Sequence, residues 1–287
     1  MPIDVGRVVG AELDEAPYSW EEHEVILYNL GVGAGNPPTD PAELKYAYES
    51  ELVAVPSFGT IPPFATMMGF GAVDGLDISL TQVLHGDQQL IVHRPIPTRG
   101  SVDQRGRIVD VFDKGRGALV VVEVVSVLTS TGEPLFTNRS GIYVRGEGGF
   151  GGDAGPPSGN TPPDRDPDHV VESVTLPQQA LLYRMASGDK NPLHADPSFA
   201  AVAGFERPIL HGLCTLGIAA KAVVESALGG DPRRMRSIET RFTGHVFPGE
   251  TLVTRIWVED ETCVLTTETR ERGTTVLANA AVNTLGS

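Results

Sequence analysis

The stretch Tyr183–Ala200, YRMASGDKNPLHADPSFA, and the apolar run that begins at Gly212 set the reading of this chain. Within six residues the stretch offers a carboxylate (Asp189), a carboxamide (Asn191) and an imidazole (His194). Gly188 and Pro192 frame them, so the residue types predict a fixed loop that carries acid–base groups. Asp196-Pro197 reads as the N-cap and first position of a short helix stopped at Gly204. After Pro208-Ile209-Leu210-His211, residues Leu213, Leu216, Ala219, Ala220, Val223, Val224 and Ala227 recur at helical spacing, and Gly229-Gly230-Asp231-Pro232 ends the run. An acid–base loop therefore adjoins the start of a buried helix, whose free backbone N–H groups can hold developing negative charge.

Outward from there, the second half reads as strand Val170–Leu176, a helix from Gln178, the loop, the long helix, and strands near Met235–Thr243, Thr251–Glu259, Cys263–Arg270 and Thr275–Leu285. The first half repeats this order. A helical pattern opens at Ser19-Trp20-Glu21-Glu22 and reaches Leu30, an amphipathic piece spans Pro41–Leu52, and a helix started at Pro62-Pro63 carries Phe64, Met67, Met68 and Phe70. Extended segments follow at Gln88–His93, Ser101–Phe112, Ala118–Ser130 and Leu135–Val144. Helices on one side of antiparallel strands, twice over, predict an α+β fold. Setting Tyr28 on Tyr183 brings Gly33 onto Gly188, Asn36 onto Asn191 and Pro37 onto Pro192, with Ala34 and Thr39 where Asp189 and His194 stand. A duplication whose first copy lacks the acid–base pair predicts one active site per chain. The Gly-, Pro- and Asp-rich residues 146–168 read as a linker between units 1–145 and 169–287.

The length of 287 residues suits two domains, and a formal charge of −15 excludes non-specific nucleic-acid binding, which needs a basic face. Two cysteines, Cys214 and Cys263, form no metal or redox spacing and read as reduced core residues. No segment has transmembrane length and the N-terminus is not signal-like, so the expectation is a cytoplasmic protein with no membrane partner.

Ser187-Gly188-Asp189, Asn191-Pro192-Leu193-His194 and Asp196-Pro197, followed by Pro208-Ile209-Leu210-His211-Gly212-Leu213-Cys214-Thr215, resemble the signature of the MaoC-like (R)-specific 2-enoyl-CoA hydratases, the hydratase 2 family. The resemblance covers the whole chain. It implies a double hotdog in which each antiparallel sheet wraps a central helix. A degenerate N-terminal unit (1–145) would bind the acyl tail and a C-terminal unit (169–287) would be catalytic. It further implies hydration of a trans-2-enoyl thioester, reversible as a 3-hydroxyacyl-CoA dehydratase, in fatty-acyl or steroid side-chain β-oxidation. The substrate would be an acyl-CoA thioester, no cofactor would be needed because CoA belongs to the substrate, and the chain would form a homodimer.

On that resemblance Asp189 and His194 hold the water, Asn191 orients the water or a side chain of the pair, and the Gly212 N–H meets the enolate oxygen, with glycine letting the thioester approach the backbone. His85 and Gly86 match a substrate-contacting pair, Lys114 a cation for the CoA phosphates, and Phe242 a residue packing on the pantetheine or adenine part. Arg241 and Lys190 join them as substrate- or CoA-binding positions. Which of Asp189 and His194 is the base stays open at this stage.

Taken singly, these residues have plainer uses. Asp189 could cap a helix, His194 could be a hydrogen-bonded structural histidine, and Lys114 could be a solvated turn lysine. It is the constellation that points to catalysis. His211 reads as structural, because the donor needed beside it is a backbone N–H, and no histidine set has metal spacing. A thioesterase on the same fold and a non-catalytic acyl-CoA-binding subunit are the competing functions; free-thiol release and binding without turnover would mark them.

Overall fold

The computed structural model describes residues 3–79, 82–157 and 159–284; Leu285, the expected end of the last strand, lies outside them. The first half runs α1 (Val5–Val8), β1 (Glu12–Leu13), β2 (Tyr18–Trp20), α2 (Glu22–Gly31), α3 (Pro41–Leu44), α4 (Phe64–Met68), β3 (Val83–Val92), β4 (Gly100–Asp113), β5 (Gly117–Leu128) and β6 (Pro134–Arg145). The second runs β7 (His169–Val174), α5 (Gln179–Ser187), α6 (Pro197–Val202), α7 (Gly212–Ala227), β8 (Met235–Phe242), β9 (Thr251–Glu259), β10 (Thr262–Thr269) and β11 (Thr274–Thr284).

Two antiparallel half-sheets make a double hotdog, and they do not stand apart. β3 pairs β8 from Asp87↔Arg241 to Ile91↔Ser237, fusing both into one sheet in the order β1-β4-β5-β6-β3-β8-β11-β10-β9-β7. The sheet supplies one inner face, and α7 fills the second half of it. Cys214, Leu216, Ala219, Ala220, Val223 and Val224 are buried, an apolar surface nearly all round, as a helix at the centre of a core requires. Both cysteines are free and buried.

The first half departs from its expected helices. Ser19 and Trp20 lie in β2, which pairs β4, and α2 starts only at Glu22, held by a reciprocal Glu21/Glu24 capping box. The expected helix Pro41–Leu52 is one α-turn followed by a separate 3₁₀ turn at Glu49–Glu51. The counterpart of α7 shrinks to the five residues of α4, between 3₁₀ turns at Pro56–Thr60 and Gly69–Ala72. Pro56, Pro62 and Pro63 withhold backbone donors on one side, and Gly69 and Gly71 weaken the helix on the other. The first half-sheet is thus covered by short helical turns and not by one long helix.

The internal repeat is visible in the packing. α2 crosses α5 with the Tyr28 and Tyr183 ring centroids 6.0 Å apart. Gln179 Nε2 donates to Gly31 O at 2.6 Å, and Cys214 Sγ to the same carbonyl at 3.3 Å. Residues 146–168 are not a slack tether. Asp113 accepts from the Gly149 and Gly151 N–H groups, Asn160 Nδ2 donates to Glu239 Oε1, and the Arg165 guanidinium meets Asp168 and Glu259.

An ion network also joins the halves. Lys221 of α7 meets Glu43 of α3 at 2.6 Å, and Lys45 meets Glu225 at 3.0 Å, with Tyr46 Oη donating to Glu225. The Lys221 and Glu43 side chains are only 14% and 12% exposed, so removing one charge strands the other in a poorly solvated place. Lys221→Met should cost roughly 3 kcal/mol. Denaturant midpoints should show Glu43→Gln/Lys221→Met recovering most of that loss, and a double variant no better than the single one would refute the pairing.

Candidate active site

The loop after α5 is built by its own short-range bonds. Gly188, at φ +71, ends α5, and the Arg184 guanidinium donates to the carbonyls of Asp189 and Asn191. The Asn191 N–H donates to Asp189 Oδ1 at 2.9 Å, fixing the carboxylate from within the loop. Asn191 Oδ1 accepts from the Leu193 N–H at 3.0 Å, capping the 3₁₀ turn Pro192–His194. Asn191 thus orients both members of the pair, one through its backbone and one by shaping the turn. Its side-chain oxygen is engaged within the loop.

His194 Nδ1 lies 2.8 Å from Ile209 O. A carbonyl only accepts, so Nδ1 carries the proton and a neutral His194 presents Nε2 as a bare acceptor. Burial lowers its pKa first; the Arg184 charge adds to that, while the bond to Ile209 and the Asp189 charge oppose it. Asp196 caps α6 by accepting from the Ser198 N–H, as its sequence position predicts.

The His211 ring packs against the pair of Asp189 and His194. It is 3% exposed and stacks on His194, with centroids 3.7 Å apart and planes 26° apart. Its Nε2 lies 3.9 Å from Asp189 Oδ2, and among the described residues neither ring nitrogen has a hydrogen-bond partner. Burial and then the His194 ring press its pKa far below the ordinary value, so it stays neutral. Its ring thus has a fixed place against both members of the pair. Donor atoms of Asp189, His194 and His211 come within 4.8 Å of one another. The two imidazoles are stacked, however, and a metal in the plane of one ring would lie well out of the plane of the other, so the set does not converge on an ion.

Directly after His211 comes the head of α7. The Cys214 and Thr215 N–H groups turn back to His211 O, while the Gly212 N–H has no acceptor among the described residues. A Cβ on Gly212 would lie 3.1 Å from Phe242 ring carbons. The Phe242 ring thus packs closely against the head of α7. The Phe242 ring in turn meets His85 at 4.9 Å between centroids.

His85 and Gly86 bring the first half into the site. A bulge between His85 and Asp87 in the β3–β6 pairing falls at Gly86, whose Cβ would stand 3.2 Å from Gly141 O. Burial pushes the His85 pKa down to about 4, against the hydrogen bonds it makes with Gln88 and the Asp87 backbone. Next to it, burial raises the Asp87 pKa, while the charges of Arg241, its register partner on β8, and then of Lys114 lower it. Lys114 is exposed, donates to Ala154 O and lies 5.3 Å from the Phe112 ring centre. Lys190 is exposed and has no ion-pair partner among the described residues. The structure therefore joins Asp189, His194, Gly212, Phe242 and His85 in one contiguous patch. Lys114, Lys190 and Arg241 remain as cations on the exposed surface.

Fold and patch define a double-hotdog protein with one acid–base loop, set where the two halves meet. The family described as MFE-2 hydratase 2 N-terminal domain matches residues 18–146, and that described as MaoC like domain matches residues 158–280. The chain is 44% identical over 259 residues to a Mycobacterium tuberculosis protein named enoyl-CoA hydratase ChsH3, covering 90% of each chain. It is 38% identical over 286 residues to a probable enoyl-CoA hydratase 2 of Dictyostelium discoideum, covering 97% of this chain and 96% of that one. A crystal structure of a MaoC-like dehydratase from Phytophthora capsici superposes with a TM-score of 0.88 at 28% identity, over 99% of this chain and 100% of that one. This chain belongs to the MaoC-like hydratase 2 family.

Proposed function

We propose that the protein is an (R)-specific trans-2-enoyl-CoA hydratase, reversible as a (3R)-3-hydroxyacyl-CoA dehydratase, serving fatty-acyl or steroid side-chain β-oxidation. The observation that carries this reading is the His194–His211 stack, which sets the acid–base pair against the head of α7 and its unbonded Gly212 N–H. The thioester carbonyl points at that amide. His194 Nε2 and the Asp189 carboxylate are both acceptors, and together they engage the two hydrogens of one water and leave its lone pair free toward Cβ. The O–Cβ bond forms as an O–H bond breaks. The electron pair of the double bond moves through Cα onto the thioester oxygen, where the Gly212 N–H stabilises it. The proton taken up by the pair then goes to Cα on the same face, and the carbonyl re-forms.

The first half takes the acyl tail, and Lys114, Lys190 and Arg241 supply positive charge for the CoA phosphates. No cofactor enters, since the CoA arrives with the substrate. Purified protein should consume the conjugated enoyl absorbance of crotonyl-CoA without releasing free thiol and give the (3R) product. Thiol release with the enoyl absorbance intact would overturn the reading in favour of hydrolysis.

The pH dependence has a definite sign. Only neutral His194 accepts at Nε2, so kcat/KM falls as protonation sets in. Because burial lowers its pKa, the acid limb should lie below the ordinary histidine value of about 6.5. A limb at or above that value in the pH–rate profile would contradict the buried, carbonyl-bound imidazole.

A further inference from the structure

The buried ring of His211 has two nitrogens and, among the described residues, no partner for either. A polar group so placed costs free energy until it is paired. The helix beside it makes no use of them: His211 is the N-cap of α7 without a side-chain cap bond, and its backbone carbonyl takes the Cys214 and Thr215 N–H groups. The rings of His194 and Tyr183 hold it in place, with centroids 3.7 and 5.0 Å away. Neither contact engages a nitrogen.

What the edge of the ring meets decides where its proton sits. Nε2 lies 3.9 Å from Asp189 Oδ2, and an ionised carboxylate only accepts. The Asp189 backbone carbonyl also favours a proton on the ring, although burial and then the His194 ring press the pKa down to about 2 and rule out a second one. The single proton of the neutral ring therefore belongs on Nε2. His194 carries the opposite tautomer, because its Nδ1 donates to Ile209 O. The stacked rings thus bring one donor and one bare acceptor to the same carboxylate, all three groups having an atom within 4.8 Å of the others. Asp189 Oδ1 already accepts from the Asn191 N–H, so a second bond at Oδ2 would fix the plane of the carboxylate. A separation of 3.9 Å is longer than a hydrogen bond, and bonds within a catalytic site commonly tighten once substrate is held.

We propose that His211 is a positioning residue: as the neutral Nε2–H tautomer it donates to Asp189 Oδ2 and, with the Asn191 N–H, holds the carboxylate in the plane where it shares a water with His194. His211 acts through Asp189 and neither takes nor gives a proton. The inference rests on the hydratase reading above and adds a third side chain to the pair.

The first test needs no variant in the measured sample and no turnover. Two-bond nitrogen–proton spectra of the protein carrying ¹⁵N-histidine should show His211 as a neutral Nε2–H ring from about pH 6 to 8, where an ordinary histidine titrates, the signal being assigned by its loss in His211→Phe or His211→Gln. The second test is kinetic. His211→Phe keeps a stacked ring and removes the N–H, so kcat for crotonyl-CoA should fall roughly 10–100-fold, the range of a hydrogen bond to a charged group, with KM nearly unchanged. His211→Gln brings an amide N–H near the same place and should recover most of that loss, as an acid or base at this position would not. His211 in the Nδ1–H or doubly protonated form, His211→Phe at the parent kcat, or His211→Gln no faster than His211→Phe would each overturn the inference. Failure of the parent protein to hydrate crotonyl-CoA would defeat the hydratase reading instead, and the spectra would still judge the tautomer.

Discussion

Asp189→Asn should lower kcat for enoyl-CoA hydration by roughly 10³-fold with little change in fold, the middle of the range for removing a positioned acid–base group. The fold survives because an asparagine keeps the side-chain oxygen that accepts from the Asn191 N–H at 2.9 Å, so the loop retains its internal bond. What is lost is the charge facing His194 and one of two acceptors for the water. His194→Gln should cost about as much, since a glutamine amide can still donate to Ile209 O but offers no ring nitrogen. The two losses should not multiply. If the pair holds one water jointly, Asp189→Asn/His194→Gln should be scarcely slower than either single variant, as for other groups acting as a unit. Single-turnover rates with crotonyl-CoA decide this, alongside thermal melts that confirm folding. Either single variant within tenfold of the parent rate would remove the assignment of the pair.

The acid–base loop was readable because all its parts are local. Gly188, Asp189, Asn191 and His194 lie within one turn-forming stretch, and most of the bonds that shape it join residues at most seven apart, the reach of His194 to Ile209 O being longer. α7 was readable for a similar reason, since a run buried on nearly every side and closed by Gly229-Gly230 leaves a plain periodic pattern. The place of His211 is tertiary, because its ring meets His194 only once the helix head has folded back beside the loop. A weak signal was present: His211 precedes the helix at the N-cap, a position whose usual occupants cap with a side-chain oxygen that histidine lacks. The shortened helix of the first half could also have been read from Pro56, Pro62 and Pro63, which weigh more than the apolar spacing of Phe64, Met67 and Phe70.

The buried polar residues of the first half-sheet have a trace of their own. Gln88 shares a strand face with the buried Leu90 and Val92, and Ser140, its register partner, alternates in phase with Asn138 and Phe136. Polar residues on the inward phase of two paired strands mark a site or a network. That phase becomes informative only once the pairing is known, because a one-residue slip would turn the same side chains to solvent.

The amide at the head of α7 can be tested apart from the glycine that carries it. Gly212→Ala keeps the N–H but drives a Cβ to 3.1 Å from the Phe242 ring, which leans on His85, so its effect mixes sterics with chemistry. Trimming the ring in Phe242→Leu should relieve that contact and bring Gly212→Ala/Phe242→Leu back near the rate of Phe242→Leu alone. In the same background Gly212→Pro removes the N–H itself. The local backbone accepts proline there: Gly212 is the first residue of α7, where proline is tolerated, and His211 at φ −62, ψ 136 has the extended conformation that a residue before proline prefers. Gly212→Pro/Phe242→Leu should therefore fold and lose roughly 10²–10³-fold in kcat relative to Gly212→Ala/Phe242→Leu, the scale of one lost oxyanion donor. Because the missing bond strengthens as negative charge grows on the thioester oxygen, the loss should fall on kcat and leave KM nearly unchanged. Equal kcat values in the proline and alanine double variants would show that the enolate is stabilised elsewhere, and the catalytic role given to the head of α7 would have to be withdrawn.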